Sequence, residues 1–202
     1  MSSIVSLEIE GSPFEMTTTG SNLNVTGFAN LENTIEVENI DPSSITLTGG
    51  ELADKITLMG EGDATISGLG GDDHIIGGLG DDTLLGGLGN DTIMGGAGAD
   101  IINGGNGEDV IKGGMGADLL EGGAGDDVFE FMADEFASDA VDEIRDFEDM
   151  DDMIKIMGVG ESSTVSYDEV TGMVSIDGKS VIDVGEGMDI EVEKTDEGWE
   201  LF

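Results

Sequence analysis

"GGLGDDTLLGGLGNDTIMGG" (residues 77–96) reads nearly the same twice, nine residues apart. Glycine weakens ordinary helices and strands. Here it returns on a fixed beat with an aspartate in step. Followed in both directions, the beat gives units beginning at Gly68, Gly77, Gly86, Gly95, Gly104, Gly113 and Gly122. Position four is always Gly, and position six is always Asp: Asp73, Asp82, Asp91, Asp100, Asp109, Asp118 and Asp127. Position eight is always large and apolar: Ile75, Leu84, Ile93, Ile102, Ile111, Leu120 and Phe129. Upstream the pattern fades. Residues 59–67 carry Ala64 at position six, and residues 49–58 keep Asp54 and Ile56 but run one residue too long. Degenerate end repeats are expected where a solenoid is capped.

Each unit has a glycine-rich half that turns and a short half that extends. Positions seven to nine are expected as a strand with position eight inward, so Thr83–Leu85 and Thr92–Met94 in the quoted stretch. One strand and one turn per unit make two units per coil. Stacked coils then give an all-β fold, a parallel β-roll of two sheets back to back around one thin apolar ladder. The flanks read as β-rich capping segments. The expected organisation is 1–48, a β-rich segment; 49–130, the roll, with tight repeats over 68–130; and 131–202, an acidic loop and β-rich cap. "TIEVENI" and "SITLT" upstream alternate like strands, as do "STVSYDEV", "MVSIDGKSVIDV" and "MDIEVE" downstream. Asp177-Gly178 is the expected hairpin turn. Residues 131–147 fit either a helical turn or a loop.

In such a roll, successive aspartates fall on opposite edges. One edge carries Asp73, Asp91, Asp109 and Asp127; the other carries Asp82, Asp100 and Asp118. Neighbours on an edge sit one coil apart, about 4.8 Å. Carboxylates that close repel unless a cation lies between them. Turn carbonyls add neutral oxygen ligands. Oxygen-only ligation suits a hard cation, above all Ca²⁺; Mg²⁺ holds its waters and demands tighter geometry.

The units resemble the nonapeptide RTX, or haemolysin-type calcium-binding, repeat GGxGxDxUx, tightly over residues 68–130 and loosely from residue 49. The resemblance implies a parallel β-roll with Ca²⁺ in the turns, about five or more ions. It implies half-sites from the carbonyls of positions two and four with the position-six Asp. The other half comes two units later, from the carbonyls of positions one and three and their Asp. The first implied site joins Leu69, Gly71 and Asp73 to Gly86, Leu88 and Asp91. The second joins Gly78, Gly80 and Asp82 to Gly95, Ala97 and Asp100. The third joins Gly87, Gly89 and Asp91 to Gly104, Asn106 and Asp109. The fourth joins Gly96, Gly98 and Asp100 to Gly113, Met115 and Asp118. The fifth joins Gly105, Gly107 and Asp109 to Gly122, Ala124 and Asp127. Leu69 departs from the Gly-Gly consensus. A further gap, Gly60 and Gly62 facing Gly77, Leu79 and Asp82, lacks the carboxylate that Ala64 replaces. "DEIRDFEDMDDMIKI" (residues 142–156) resembles the D-x-I-x-D-F…D-x-I segment that follows the roll in secreted RTX proteases and lipases, with Asp142 as a candidate closing ligand beside the alternative of a solvated acidic loop. For secretion, the resemblance implies a chain that passes a type I exporter unfolded and folds where calcium is abundant.

Composition agrees with a cation-binding role. The chain has 202 residues, 46 acidic against 6 Lys and Arg, and a formal net charge of −40. It repels nucleic acid and anionic membrane surfaces. Hydrophobic residues reach 38% and lie in phase with the acids, which argues against a solvated acidic tail. With no cysteine, disulfides and thiolate sites are excluded. There is no apolar run of about 18 residues to span a membrane, and residues 1–20 lack signal-peptide features. His74 is the single histidine, so an H-E-x-x-H zinc site is impossible, and no G-x-S-x-G elbow occurs.

The expectation is therefore a non-enzymatic, structural or adhesive calcium-binding protein, outside the cell or in a virus particle. The alternative is a short RTX effector or hydrolase with its active residues in the flanks. An ice-binding surface is not expected, because Thr83 and Thr92 fall on opposite sheets. The outward apolar residues Ile76, Leu85, Met94, Ile101, Val110, Leu119 and Val128 leave two readings. Either the flanks and strand preference account for them, or they mark self-assembly or a protein partner.

Overall fold

The computed structural model describes residues 6–10, 15–19, 22–27, 32–38, 44–137, 140–148, 151–160, 162–185, 192–195 and 198–202. It is an all-β solenoid of two parallel sheets with almost no helix. The repeats form β7 (Ala64–Gly70), β8 (His74–Gly78), β9 (Thr83–Leu88), β10 (Thr92–Ala97), β11 (Ile101–Asn106), β12 (Val110–Met115), β13 (Leu119–Ala124) and β14 (Val128–Met132). Odd strands pair with odd and even with even, all parallel. This is the two-unit coil.

The strands are longer than three residues. β9 and β10 continue through positions one to three of the next unit. The reason is in the ladder: Gly105 pairs with Gly87 and Asn106 with Leu88, so the glycine pairs stay in register, with positive φ at Gly87 and Gly105. The turn proper shrinks to positions four to six.

The same two sheets continue past the repeats. Upstream lie β3 (Asn22–Thr26), β4 (Thr34–Glu38), β5 (Ser44–Thr48) and β6 (Lys55–Met59), each in parallel register with the strand one coil further on. β1 (Ser6–Glu10) and β2 (Glu15–Thr19) close this end antiparallel to β4 and β3. Downstream, β15 (Asp142–Ile144) and β16 (Met153–Met157) pair parallel to β13 and β14. Among the described residues of the segment before β15 there is a short 3-10 turn, Glu135–Ala137. β17 (Val165–Asp168), β18 (Met173–Ile176) and β19 (Lys179–Asp183) form a meander joined to β15. β20 (Val192–Lys194) and β21 (Gly198–Leu201) join β16. The expected hairpin turn is present: Asp177 and Gly178 both have positive φ, 52° and 82°, as a two-residue primed turn requires. Of "MDIEVE", residues 188–191 lie outside the described residues.

The core has two characters. In the repeats one apolar side chain per strand points inward, and Ile75, Leu84, Ile93, Ile102, Ile111, Leu120 and Phe129 are fully buried. The next inward position is glycine, as at Gly95 between Ile93 and the turn. Toward both ends that position becomes apolar. Ile35 is joined by Val37, Ile56 by Leu58, Phe129 by Phe131 and Ile154 by Ile156. Each such side chain contributes about 1.5–3 kcal/mol of burial. Among the described residues no helix is long and apolar enough to cross a membrane.

Candidate metal centre

The position-six aspartates stand in two columns inside the turns, each only 1–2% exposed. Each backbone N–H donates to Oδ1 of the aspartate one coil further on. On one edge Asp54 bonds to Asp73, Asp73 to Asp91, Asp91 to Asp109 and Asp109 to Asp127, at 2.7–2.8 Å. On the other edge Ala64 bonds to Asp82, Asp82 to Asp100, Asp100 to Asp118 and Asp118 to Asp142, at 2.7–2.9 Å. Ala64 needs only its N–H to hold Asp82, so the column survives its missing carboxylate.

The second oxygen is different. Oδ2 of Asp73, Asp82, Asp91, Asp100, Asp109, Asp118 and Asp127 is buried and has no hydrogen-bond partner. Its location explains glycine at position one. A Cβ on Gly86 would lie 2.3 Å from Asp91 Oδ2 and 2.4 Å from the carbonyl oxygen of Gly104, one coil on. The free carboxylate oxygen and that carbonyl therefore share a space that only glycine leaves open. The same trio forms at Gly68 with Asp73 and Gly86, Gly77 with Asp82 and Gly95, Gly95 with Asp100 and Gly113, and Gly104 with Asp109 and Gly122.

Other carbonyls converge from the coil below. Those of Leu69, Gly78, Gly87, Gly96 and Gly105 stand 2.1–2.3 Å from where a Cβ would lie on the position-two glycine of the next coil. Those of Gly71, Gly80, Gly89, Gly98 and Gly107 stand similarly against the position-four glycine. Leu69 follows its neighbours despite its side chain: its φ is 80°, a left-handed conformation that costs a non-glycine residue about 1–3 kcal/mol. Position three is more occupied. The carbonyls of Leu88, Asn106, Met115 and Ala124 accept N–H groups from Gly71, Gly89, Gly98 and Gly107 at 2.8–2.9 Å. Each keeps one lone pair. Ala97 sits at the same register position as Met115.

The electrostatics of these gaps are unfavourable without a cation. Burial pushes Asp73, Asp91 and Asp100 from the usual 3.8 up to about 7, and Asp82 and Asp127 to about 6. It raises Asp109 and Asp118 as well. The Oδ1 hydrogen bonds pull the other way, and carboxylates in adjacent coils add to the rise at Asp73, Asp91 and Asp100. Among the described residues no three His, Asp or Glu side chains are placed to hold a metal by themselves. Further ligands must be carbonyls. A donor set of carboxylate and carbonyl oxygens, with a buried unpartnered oxygen in each gap, fits a hard divalent cation.

The ends of the columns are built differently. Asp54 has both oxygens engaged: Asn33 donates to Oδ1 from its backbone N–H and from Nδ2, and Gly50 N–H donates to Oδ2. Asp152, 25 residues beyond Asp127, accepts the Asp127 N–H on Oδ1 at 3.0 Å and the Glu148 N–H on Oδ2 at 2.9 Å. Asp142 occupies the same place above Asp118, 24 residues on, and burial raises it to about 7. The column thus absorbs coils longer than the 18-residue repeat. Sequence reasoning singled out Asp142 and missed Asp152. The signal was present, because Asp142-Glu-Ile144 and Asp152-Met-Ile154 both repeat the aspartate–apolar spacing of positions six and eight.

A further set of bonds escaped the sequence reading. On the outside of the turns, Asp72 Oδ1 accepts the Asn90 N–H and Asn90 Oδ1 accepts the Glu108 N–H, at 2.9 and 3.0 Å. On the other edge Asp63 and Asp81 accept from Asp81 and Ala99. Among the expected outward residues, Leu85 and Ile101 are exposed, while Ile76, Met94, Val110, Leu119 and Val128 are half-buried. His74 is half-buried and outward, between Lys55 and Thr92 in the ladder.

Comparison with known proteins agrees with this geometry. The family model described as RTX calcium-binding nonapeptide repeat (4 copies) matches residues 60–93 and again 94–129. No curated protein matches the chain. Residues 60–129 are therefore a run of RTX calcium-binding nonapeptide repeats wound into a β-roll.

Proposed function

We propose that this chain is a calcium-folded structural or adhesive element that works outside the cell and carries no enzymatic site. The observation that carries the reading is the row of buried Oδ2 atoms with no partner. Calcium would lie in the gaps that pair Asp73 with Asp91, Asp82 with Asp100, Asp91 with Asp109, Asp100 with Asp118 and Asp109 with Asp127. Carbonyls of positions one, two and four complete each set, with the spare lone pair at position three. The ion supplies positive charge where burial opposes ionised carboxylates; it takes part in no reaction. Two features support a site of action outside the cell. The net charge of −40 opposes compaction until cations bind, and extracellular calcium modules bind at about 10⁻⁴–10⁻³ M. Such a chain stays loose in a calcium-poor cytosol and folds after export, for which a type I route is the proposed path. The exposed pair Leu85 and Ile101 is the proposed lateral contact between copies.

The direct test is metal content. Equilibrium dialysis of the chain against Ca²⁺ held above about 1 mM should find about five or more bound Ca²⁺ per chain. A chain that binds none under those conditions contradicts the reading. Light scattering of the loaded protein at high concentration tests the lateral contact: assembly is expected, and a strict monomer removes it. A hydrolase screen with Ca²⁺ present should find no activity.

A further inference from the structure

We infer that the roll carries one more calcium site, beyond the last repeat, in which the Asp146 carboxylate takes the part that a turn carbonyl plays in the inner gaps. The inference rests on the calcium reading of those gaps and extends it past residue 130.

The inner gaps define what a complete site contains. From below come the carbonyls of positions two and four and the free Oδ2 of the aspartate. From above comes the position-one carbonyl of the next coil. The last unit, beginning at Gly122, presents the same lower half. Gly123 and Gly125 have φ of 106° and 140°, as in the units before. Asp127 Oδ2 lies 2.4 Å from where a Cβ on Gly122 would be, the place it holds in every unit. Asp127 is 1% exposed, and this oxygen has no partner. The fifth gap takes Asp109 Oδ2 and the Gly122 carbonyl, so Asp127 Oδ2 is left facing the coil beyond, where no repeat follows.

Among the described residues no position-one carbonyl stands against Gly122 as Gly104's stands against Gly86. Asp146 sits over the glycine pair instead. The Gly122 N–H donates to its Oδ1 and the Gly123 N–H to its Oδ2, each at 2.9 Å. Two backbone bonds fix the carboxylate in orientation, and each oxygen retains a lone pair. Asp152 closes the other side, with both of its oxygens held by N–H groups. The negative charge of Asp146 reaches both Asp127 and Asp152 and raises both. The neighbouring Arg145 is turned away to Glu143 and Glu121, at 3.0 and 4.0 Å. Phe147, which follows Asp146, is buried against Phe129, with ring centroids 6.3 Å apart. The carboxylate is therefore anchored on the apolar core and not carried on a free loop. An orphaned buried oxygen, a second oriented carboxylate and oxygen-only chemistry select a hard divalent cation, as in the inner gaps.

The test is anomalous diffraction from crystals of the full chain grown with saturating Ca²⁺, repeated on Asp146→Asn. The expected result is a peak in each of the five inner gaps and one more between Asp127 and Asp146. In Asp146→Asn the terminal peak disappears and the inner peaks remain, and bound calcium falls by one ion per chain. Inner peaks without a terminal peak in the unsubstituted protein overturn this inference and leave the calcium reading intact. Absence of every peak overturns both. The map of the unsubstituted protein decides the matter even if Asp146→Asn fails to fold.

Discussion

Asp91 and Asp54 stand in the same column, each with its Oδ1 on a backbone donor of the coil before, yet their other oxygens differ. Asp54 Oδ2 receives the Gly50 N–H; Asp91 Oδ2 receives nothing. The surrounding core differs in the same sense. The coil of Asp54 buries Ile56 and Leu58 on one strand, whereas that of Asp91 buries Ile93 followed by glycine. Asp152, at the far end, is again fully bonded, and Ile154 and Ile156 come after it. The ends of the roll satisfy their own carboxylates and fill their own core. The middle does neither. It has exchanged half its inward side chains for glycine and left one oxygen per aspartate to be met from outside. In this comparison the metal is a structural part of the middle and an accessory at the ends.

The contrast breaks most readily at Asp100. Asp100→Ala removes a free Oδ2 from one gap and the acceptor of the Asp82 N–H from the gap below. The calcium concentration needed to fold the chain should rise by more than about tenfold, since removing even an outer partner of a metal ligand costs about 10–100-fold in affinity. Asp73→Ala should cost less, because Asp73 borders a single gap between two repeats. A calcium titration followed by circular dichroism reads both. Equal, negligible shifts would mean that the columns are not where the ions act.

Asp54→Ala tests the other side of the comparison. It strands the donors of Asn33 and Gly50, which costs about 1–3 kcal/mol for a buried unmet group. The loss should appear as lower thermal stability with the number of bound ions unchanged. A lost ion would place a metal where the structure shows a satisfied carboxylate.

The pH response should also separate the two states. Without metal, Asp73, Asp91 and Asp100 have pKa values near 7 in the fold, against about 3.8 in the unfolded chain. The folded chain then binds more protons across that window, so the metal-free roll loses stability as pH rises from about 4 to about 7. With Ca²⁺ the order reverses, because the ion requires ionised carboxylates. Circular dichroism should therefore show the chain in chelator gaining β structure as pH falls from about 7 to about 4, and the Ca²⁺-loaded chain losing it. The same pH response in both conditions would separate the aspartates from calcium. The smallest effect is expected at the outer bonds: Asn90→Ala loses one exposed acceptor and should cost no more than about 1 kcal/mol by urea melt, with calcium binding unchanged.

The fold and the inner gaps were legible because they are periodic. Glycine at positions one, two and four, Asp at six and an apolar residue at eight each answer one steric or electrostatic demand that recurs every coil. What was illegible is what ceases to be periodic. The coils of Asp142 and Asp152 are longer, so their aspartates drift out of the nine-residue phase while the ladder holds their place. Strand length was underestimated because glycine reads as turn, although Gly86 and Gly87 lie within β9 and Gly87 keeps its place in the ladder with a φ of 124°. The bonds of Asp72 and Asn90 were hidden because position five varies, and its role depends on the coil above.

The central claim is that the middle of the roll is completed by calcium. Its most direct measurement is hydrogen exchange of the full chain in Ca²⁺ and in chelator. The account predicts that amides of β9 to β13 are protected with Ca²⁺ and exchange freely without it, in one cooperative step that tracks the titration. Amides of β9 to β13 equally protected in both conditions would contradict it.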